Sequence, residues 1–366
     1  MRQKDLFWIF SLVLLVALPV AEAESPDTAA KIKIGIILPL SGEAASLGSY
    51  AKNGIELAYH KLPAAARARV TLLYEDDQLK PAMAVTAAHR LIEQENVKVI
   101  FTMSSGIGNA VAPIAEQEKV LMIAICASDA KVSRGRHFVF THWITPETEA
   151  SELTKELVKR DYKRLGFIGQ EHEGVIAVYN AQIAALKQAG LLERLVLDKK
   201  YLPDVRDFKS YIAQARAAKV DAFLVALLPG ALSTFARQTQ VSGIEAPLVG
   251  FEMFEDSSEV KAANGALLNQ WYVNASQPSS SFIAAYQQTY GAPPEIGAPN
   301  SYDALMLAVD SVSTANGDTL EAANILRKLH DYSGAAGTYS ATGDNRFSLP
   351  AEIKIVKEAG FETLYR

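Results

Sequence analysis

Short apolar runs rich in β-branched residues alternate with helical hydrophobic patterns along most of the chain. The first apolar run covers residues 31–38, an amphipathic helical pattern follows at 46–62, and a second apolar run covers 69–74. Further strands are predicted at 97–103, 120–126, 138–143, 164–168, 194–199, 221–228 and 247–251, and helices at 81–95, 109–119, 174–189, 207–219 and 230–242. Because strands that alternate with helices are typical of βαβ units, the pattern predicts an α/β protein with parallel sheets.

The alternating pattern is interrupted twice, which predicts two lobes. After a polar loop at 128–136, Thr145-Pro146-Glu147 begins a new helix with a capping hydroxyl, a first-turn proline and an acid placed favourably for the helix dipole. Beyond residue 273 helices are predicted at 280–290, 301–314 and 320–332, followed by strands within 334–342 and 351–356. We expect two doubly wound, Rossmann-like lobes joined by a multi-strand hinge. The first would contain residues 31–143 and 275–345, and the second residues 144–274 and 346–366.

The N-terminus has the pattern of an export signal. Arg2 and Lys4 precede an apolar run at 6–20, and Ala21-Glu22-Ala23 supplies a small-x-small cleavage site. The apolar run is shorter than the roughly 20 residues that span a bilayer. We therefore expect residues 1–23 to be a signal peptide and the mature protein to be soluble and exported. The single cysteine, Cys126, lies in an apolar run, which predicts a core residue, no lipid anchor and no intrachain disulfide.

Charge and motifs exclude several functional classes. The net charge is −5 and the 36 Lys and Arg residues are scattered, which argues against nucleic-acid binding. The six histidines are dispersed, and the sequence contains no Gly-x-Ser-x-Gly, Walker or His-Glu-x-x-His motif. Gly106-Ile-Gly108 is an incomplete dinucleotide fingerprint, and Glu171-His172-Glu173 cannot direct three consecutive side chains at one metal ion. We predict no catalytic residue, no cofactor and no metal.

Three polar residues follow predicted strands and are candidates for a ligand site: Ser105, Ser128 and Glu252. The carboxyl ends of strands in doubly wound sheets meet at a crevice, so these side chains can face one ligand. A serine hydroxyl and backbone N–H groups at a helix start hold a carboxylate, but the more common role of serines in this position is to turn the chain and cap the helix. An acid at a strand end, such as Glu252, is as often only solvated or capping. Asp129 is interpreted as a local cap. Trp143 either lines the cleft or packs in the hinge, and Trp271 has the same two interpretations.

Ordered motifs along the whole predicted mature chain resemble a known family. They are Ile34-Gly-Ile-Ile-Leu-Pro-Leu-Ser-Gly42, Gly48, Asn53-Gly54, Tyr74-Glu-Asp-Asp77, Met103-Ser-Ser105, Ala127-Ser128, Gly250-Phe-Glu252 and Ser301-Tyr-Asp-Ala304. In these motifs the chain resembles the type I periplasmic binding proteins of branched-chain amino-acid (Leu/Ile/Val) ABC transporters. The resemblance implies a periplasmic monomer that binds a small molecule, with an inner-membrane ABC permease as its partner.

The resemblance also implies roles for four polar groups. Ser105 matches the family serine that binds the ligand carboxylate, and Ser128 matches a hydroxyl residue that contacts the ligand backbone. The carbonyl of Ala127 matches an acceptor for the ligand ammonium group, and Glu252 matches the acid that pairs with it. The family's four polar positions are therefore retained in this sequence.

The expected pocket for the ligand side chain departs from the family pattern. Leu47 and Leu228 stand where aromatic residues are frequent, and the region around Gly174 lacks the usual tyrosine. An aliphatic or otherwise apolar amino acid is the expected ligand. An amide or an aromatic carboxylate is an alternative within the same fold, and a secreted hydrolase that uses Glu252 with Asp129 is an alternative from another class.

Overall fold

The computed structural model describes residues 31–347, 349–358 and 360–365. The predicted signal peptide, residues 1–23, lies outside these ranges. Within them, the chain forms two α/β lobes, each built around its own sheet. Among the described helices, none combines the length and the apolar character that a membrane crossing requires.

The first lobe is built on five parallel strands. Their bounds are Ile32–Leu38 (β1), Val70–Asp76 (β2), Val99–Met103 (β3), Leu121–Ile125 (β4) and Val139–His142 (β5). Their order in the sheet is β2-β1-β3-β4-β5. The last three strands are buried along their whole length, as expected for parallel strands with helices on both faces. The winding direction changes between β1 and β3, where a crevice opens at the carboxyl ends of the strands.

The second lobe repeats this strand order. Its parallel strands are Leu165–Gln170 (β6), Leu195–Tyr201 (β7), Ala222–Ala226 (β8), Leu248–Gly250 (β9) and Trp271–Ala275 (β10). Four further strands follow along the chain: Tyr332–Gly334 (β11), Gly337–Tyr339 (β12), Ala351–Lys357 (β13) and Gly360–Thr363 (β14). The sheet order is β7-β6-β8-β9-β10, extended at the β10 edge by antiparallel β13 and β14. Strands β11 and β12 form a separate hairpin. The second crevice therefore lies between β6 and β8.

In the part of the chain that the structure describes, twelve α-helices surround these sheets. Their bounds are Ala45–Lys61 (α1), Ala64–Arg67 (α2), Pro81–His89 (α3), Ser105–Gln117 (α4), Pro146–Arg160 (α5), Glu173–Gln188 (α6), Lys209–Ala217 (α7), Ala231–Ser242 (α8), Ser257–Ala262 (α9), Ser280–Tyr290 (α10), Ala298–Thr314 (α11) and Thr319–Arg327 (α12). In the first lobe α1, α11 and α12 cover one face of the sheet, and α3 and α4 cover the other. In the second lobe α7 and α8 lie opposite α5 and α6. The predicted doubly wound α/β class is confirmed.

The chain passes between the two lobes three times, and we call these passages the hinge. They follow β5, follow β10 and precede β13, because α10 to α12 return to the first lobe. Helix α11 packs tightly on α1, where a Cβ atom on Gly54 would lie 2.1 Å from the carbonyl oxygen of Ala298. The division of the chain at residues 143/144, 274/275 and 345/346 stays a prediction. Phe347 and Leu349 are buried in the first-lobe core, which favours a third passage after residue 349.

Two predicted helix boundaries are wrong for physical reasons. Helix α4 begins at Ser105 rather than at residue 109, because Ser104 turns the chain within one residue with a φ of +78°. The helix predicted at 320–332 ends at Arg327, and Tyr332 already belongs to the hairpin strand β11. Leu329 and Tyr332 fit the helical period, but they pack against the first-lobe core from outside α12.

Candidate functional site

The loops at the carboxyl ends of the two sheets enclose a small cavity between the lobes. Its lining residues are Pro39, Leu47, Leu79, Met103, Ser104, Ser105, Cys126, Ser128, His172, Gly174, Val175, Leu228, Pro229, Glu252, Met253 and Ile296. The centres of water molecules can occupy about 60 Å³ of it. Because one water needs roughly 10–15 Å³ on that measure, the cavity holds about four to six water-sized groups. Six of the seven residues predicted for ligand binding line this cavity, and their roles in binding stay predictions.

Ser105 is the main polar group of the first-lobe wall. It is the first residue of α4, and its Oγ accepts hydrogen bonds from the backbone N–H groups of Ser128 at 2.9 Å and Asp129 at 3.0 Å. These bonds tie the loop after β3 to the loop after β4. With its oxygen occupied by two donors, the hydroxyl of Ser105 has a hydrogen left to donate, which no hydrogen bond among the described residues uses. The first turn of α4 adds N–H groups on the same side.

Helix capping does not account for the neighbouring serine. Ser104 precedes α4, but its side chain makes no capping hydrogen bond, and its buried Oγ has no partner among the described residues. Asp129 does cap locally, as predicted, because it accepts from the backbone of Lys131 at 3.0 Å and from Asn109 Nδ2 at 2.9 Å. Unlike Asp129, the Ser104 side chain is therefore left with an unused hydrogen-bonding group at the cavity.

Three cavity residues have a positive φ, which only glycine adopts freely. The φ angles are +57° for Leu79, +78° for Ser104 and +53° for Cys126, and the last two residues directly follow β3 and β4. Such conformations cost of order 1–3 kcal/mol and cluster at functional sites. Cys126 packs against the first-lobe core, as predicted, but its side chain is only half-buried and also lines the cavity. Burial, with the nearby carboxyl of Glu252, raises the pKa of its thiol well above the usual range.

Glu252 is the charged group of the second-lobe wall. It follows β9 as the first residue of the single-turn helix Glu252–Glu255, and its side chain lines the cavity. Its Oε2 is buried and has no hydrogen-bond partner among the described residues. Burial raises the pKa of Glu252 to about 6, so the carboxyl group is mostly ionised at pH 7. An ionised, unpartnered carboxylate at a cavity wall is suited to a cationic group.

A second acid, Glu149, lies behind Glu252 and was missed in the sequence analysis. It belongs to the start of α5 next to the hinge, and it is fully buried. Neither of its carboxyl oxygens has a hydrogen-bond partner in the hydrogen-bond network of the described residues. The carboxyl group of Glu149 does interact electrostatically with that of Glu252. Burial and the neighbouring Glu252 raise the pKa of Glu149 well above its usual range.

Three further predicted residues give the cavity its apolar surface and narrow width. Leu47 comes from α1 of the first lobe, Leu228 follows β8, and Gly174 lies in the first turn of α6. A Cβ atom on Gly174 would lie 3.0 Å from Ser105 Oγ. Glycine at this position therefore lets the two lobes approach each other closely at the polar end of the cavity.

The seventh predicted residue, Ala127, is not among the residues that line the cavity. It lies between the lining residues Cys126 and Ser128, and its side chain packs with the apolar residues under α4. His172, which also lines the cavity, was missed because it was considered only as a metal ligand. Its Nδ1 accepts from the backbone N–H of Gly174 at 3.2 Å. Among the described residues no group of His, Cys, Asp and Glu side chains is arranged to hold a metal ion.

Direct contacts join the lobes beside the cavity. Asp256 at the start of α9 accepts from Ser46 Oγ at 3.3 Å and from the hydroxyl of Tyr50 at 3.4 Å. Arg206 Nη2 lies 2.6 Å from Glu43 Oε2. Because Ser46, Tyr50 and Glu43 belong to the first lobe and the other two to the second, the structure shows the lobes closed on each other.

A larger groove lies on the hinge side and is separate from the polar cavity. Its volume on the same measure is about 550 Å³, and Trp143 and Ile296 line it. Ile296 also lines the small cavity, so its loop separates the two spaces. Trp271 is buried in the second-lobe core under Arg160, whose guanidinium lies 4.5 Å from the ring centre. Trp143 therefore lines the hinge-side groove, Trp271 belongs to the second-lobe core, and neither lines the small cavity.

Comparisons with known proteins agree with this architecture. Residues 31–358 match the model of the periplasmic binding protein family. Leu/Ile/Val-binding protein homolog 3 of Brucella melitensis is 24% identical over 329 residues, which cover 86% of this chain and 89% of the relative. The crystal structure of leucine binding protein LivK from Thermotoga maritima has a TM-score of 0.84 at 22% identity, covering 91% of this chain and 97% of that one. A solute binding protein of an R. palustris ABC transporter, in complex with benzoate, has a TM-score of 0.82 at 20% identity, covering 92% and 96%.

Two closed lobes with a small, mixed polar and apolar cavity between them define a solute-binding protein rather than an enzyme. The chain belongs to the periplasmic binding protein family. The resemblance to the type I proteins of the branched-chain amino-acid branch is confirmed by the relatives and by the fold.

Proposed function

We propose that this protein is the periplasmic receptor of an ABC importer and captures a small, apolar amino acid between its closing lobes. The observation that carries the proposal is the pairing of opposite chemistry across one cavity. Ser105 offers a hydroxyl hydrogen at the start of a helix, and Glu252 presents an ionised carboxylate from the other lobe. A zwitterion with an apolar side chain complements both ends.

The size and lining of the cavity support an amino acid with a compact side chain. Space for about four to six water-sized groups matches a small amino acid in the closed form. Most of the non-polar residues that line the cavity have aliphatic or methionine side chains, with Leu47, Leu228 and Met253 as examples. Relatives named as Leu/Ile/Val-binding proteins support the same class of ligand.

An aromatic carboxylate is the second candidate, because a structural neighbour was crystallised with benzoate. Such a ligand would use Ser105 but would leave Glu252 without a cation. Two carboxylates in one cavity repel each other, so this ligand requires a protonated Glu252. Because the pKa of Glu252 is about 6, the protonated form is the minor one at pH 7, which favours the amino acid.

A ligand screen that removes one charge at a time tests the proposal. Alanine, valine and leucine are compared with leucinamide, which lacks the carboxylate, with isocaproate, which lacks the ammonium group, and with benzoate. We expect thermal unfolding to move upward with an amino acid and calorimetry to confirm it, since a ligand at 100 times its Kd adds about 2.7 kcal/mol of stability. Binding of isocaproate or benzoate in preference to every amino acid would contradict the proposal and support the second candidate.

Closure on the ligand links this site to transport. The lobes meet through Asp256 and Arg206, so a permease has a closed form to recognise that differs from the open form. A ligand shifts this equilibrium only by its higher affinity for the closed form. X-ray scattering should show a more compact protein with the best ligand of the screen than without it. An unchanged radius of gyration at saturation would argue against closure on the ligand.

A further inference from the structure

We propose that Glu149 is a positioning residue of the binding site: its protonated carboxyl group donates a hydrogen bond to Glu252 from behind the cavity wall. In this arrangement the Glu252 carboxylate is held toward the cavity, where it can meet a ligand cation. The part that concerns the ligand rests on the proposed function. The proposed hydrogen bond between the two acids is independent of it.

The location of Glu149 makes an ionised state costly. Its side chain is 0% exposed, although it belongs to the start of α5, where acids usually interact with the helix dipole at the surface. Neither carboxyl oxygen has a regular hydrogen-bond partner among the described residues. A buried, ionised and unpaired carboxylate is unstable relative to its protonated form. The side chain therefore has a proton to donate and needs an acceptor.

The charged groups around the pair leave Glu252 as that acceptor. In the same helix turn Glu147 is exposed and pairs with Arg346 at 3.0 Å. Glu255, which follows Glu252 in the single-turn helix, is paired with Lys354 at 2.6 Å. It also accepts from the side chains of Tyr272 and Asn274. The two neighbouring cations, Arg346 and Lys354, are therefore already paired with other carboxylates.

The thiol of Cys126 is the group that faces Glu252 from the first lobe, and it is uncharged because burial raises its pKa. Two carboxyl groups in contact with each other and away from water retain one proton between them. Glu252 lines the cavity, whereas Glu149 does not, so the negative charge belongs on Glu252 and the proton on Glu149. The directions of the pKa shifts agree with this assignment. Burial raises both pKa values, the interaction with Glu252 raises that of Glu149 further, and the hydrogen bond with Glu149 lowers that of Glu252.

A donor behind Glu252 lowers the pKa of its carboxyl group relative to the same site without the donor. The experiment therefore follows the ionisation of Glu252 directly, by ¹³C NMR of the side-chain carboxyl carbons in the ligand-free protein, with Glu252→Gln to assign the signal. Glu149→Met removes the donor at similar size, and Glu149→Gln replaces it with an amide N–H donor. Glu147→Gln is the matched control from the same helix turn.

We expect a midpoint near pH 6 for Glu252 in the wild type, a midpoint about one pH unit higher in Glu149→Met, and a return toward the wild-type value in Glu149→Gln. Affinity of Glu149→Met for the best amino acid should then be about fivefold weaker at pH 6. An unchanged midpoint in Glu149→Met would overturn the proposal. An equally large upward shift in Glu149→Gln would also overturn it, because an amide N–H donor at this position would then have no effect on the pKa of Glu252. A downward shift in both variants would overturn it as well, because Glu149 would then act through a negative charge.

Two further outcomes keep the test decisive. Should Glu149→Met not fold, the carboxyl carbon of Glu149 in the wild type remains the readout: it should stay protonated at pH 7, and an ionised signal at that pH would refute the proposal. If no amino acid binds while the NMR midpoints behave as expected, the proposed function fails and the proposed hydrogen bond between the two acids stands.

Discussion

The two walls of the cavity differ in charge and in the hydrogen bonding of their buried polar groups. In the first lobe Ser105 is anchored by two backbone N–H donors and retains only a hydroxyl hydrogen for a ligand. In the second lobe Glu252 has a buried oxygen without a partner, and Glu149 behind it has two. The first-lobe wall is neutral, with the hydroxyl of Ser104 as its unpartnered group, and the second-lobe wall is acidic, with unpartnered carboxyl oxygens.

This difference indicates where the free energy of closure comes from. The Ser105 hydroxyl keeps its two backbone donors whether the lobes are open or closed, so it orients the ligand without driving the motion. An unpaired buried polar group costs about 1–3 kcal/mol, and more when it is charged. A cation that reaches Glu252 removes that cost only in the closed form. We therefore expect changes on the second-lobe wall to have larger effects than changes on the first.

The largest effect is expected for Glu252→Gln. This substitution keeps the shape of the side chain and removes its charge, so a ligand ammonium group would face a neutral amide. Losing one partner of such a buried pair costs about 2–5 kcal/mol, which predicts a loss of affinity of at least about thirtyfold by calorimetry. Glu173→Gln, half-exposed in α6 and outside the cavity lining, is the matched control and should bind as the wild type does. Wild-type affinity in a folded Glu252→Gln protein would end the amino-acid interpretation.

A smaller effect is expected on the neutral wall, from Ser105→Ala. The hydroxyl that faces the ligand carboxylate is lost, while the N–H groups of α4 remain, so affinity should fall by about 1.5–3 kcal/mol. The substitution also leaves the backbone N–H groups of Ser128 and Asp129 without their acceptor. Unfolding of the ligand-free variant should therefore occur at a lower temperature than in the wild type. A larger affinity loss than that of Glu252→Gln would reverse the ranking of the two walls.

The polar residues of the two walls also show how much of this protein can be predicted from its sequence. The two repeated sheets follow from hydrophobic periodicity, and the polar residues after β3, β4 and β9 follow from the rule that strand ends meet at a crevice. That rule places Ser105, Ser128 and Glu252 together before any coordinates are known. These residues lie in local motifs, which are visible along the chain.

The remaining site residues carry no local signal. Met253 and Ile296 line the cavity but have the same apolar character as core residues, so periodicity cannot separate the two roles. Glu149 follows Thr145-Pro146-Glu147, where an acid is explained by the helix dipole alone, and only the packing of α5 shows that its side chain points inward. The early start of α4 depends on the unusual φ of Ser104, which no helix propensity would favour. Long-range packing therefore determines the part of the site that the sequence pattern leaves open.

The acidic wall should also make binding depend on pH. Glu252 has a pKa of about 6 in the ligand-free protein, and only its ionised form pairs with an ammonium group. Affinity is thus highest above pH 6 and falls as the pH decreases through that value. The ionised fraction decreases about tenfold between pH 7 and pH 5, which predicts a similar loss of affinity across that range. Calorimetry at pH 5, 6 and 7 measures it, and tighter binding at pH 5 would indicate a carboxylate ligand that prefers protonated Glu252.

The smallest effect is expected at the rim, where Arg206 and Glu43 pair across the lobes at 2.6 Å. The Glu43 side chain is 71% exposed, and exposed ion pairs contribute about 0.2–1 kcal/mol. Because the pair joins the two lobes, Glu43→Gln should weaken ligand binding by up to about fivefold, mainly through faster release.

A control for this rim pair exists within the first lobe, where Lys33 and Glu95 form an exposed ion pair at 3.3 Å. Glu95→Gln breaks a contact of the same kind that does not cross the cleft, so its ligand affinity should equal that of the wild type. High salt should reduce the difference between Glu43→Gln and the wild type, since exposed charges are screened within about 10 Å at 0.1 M salt. Equal effects of the two substitutions would show that the rim pair contributes nothing to closure, and the second-lobe acid would then account for the driving force by itself.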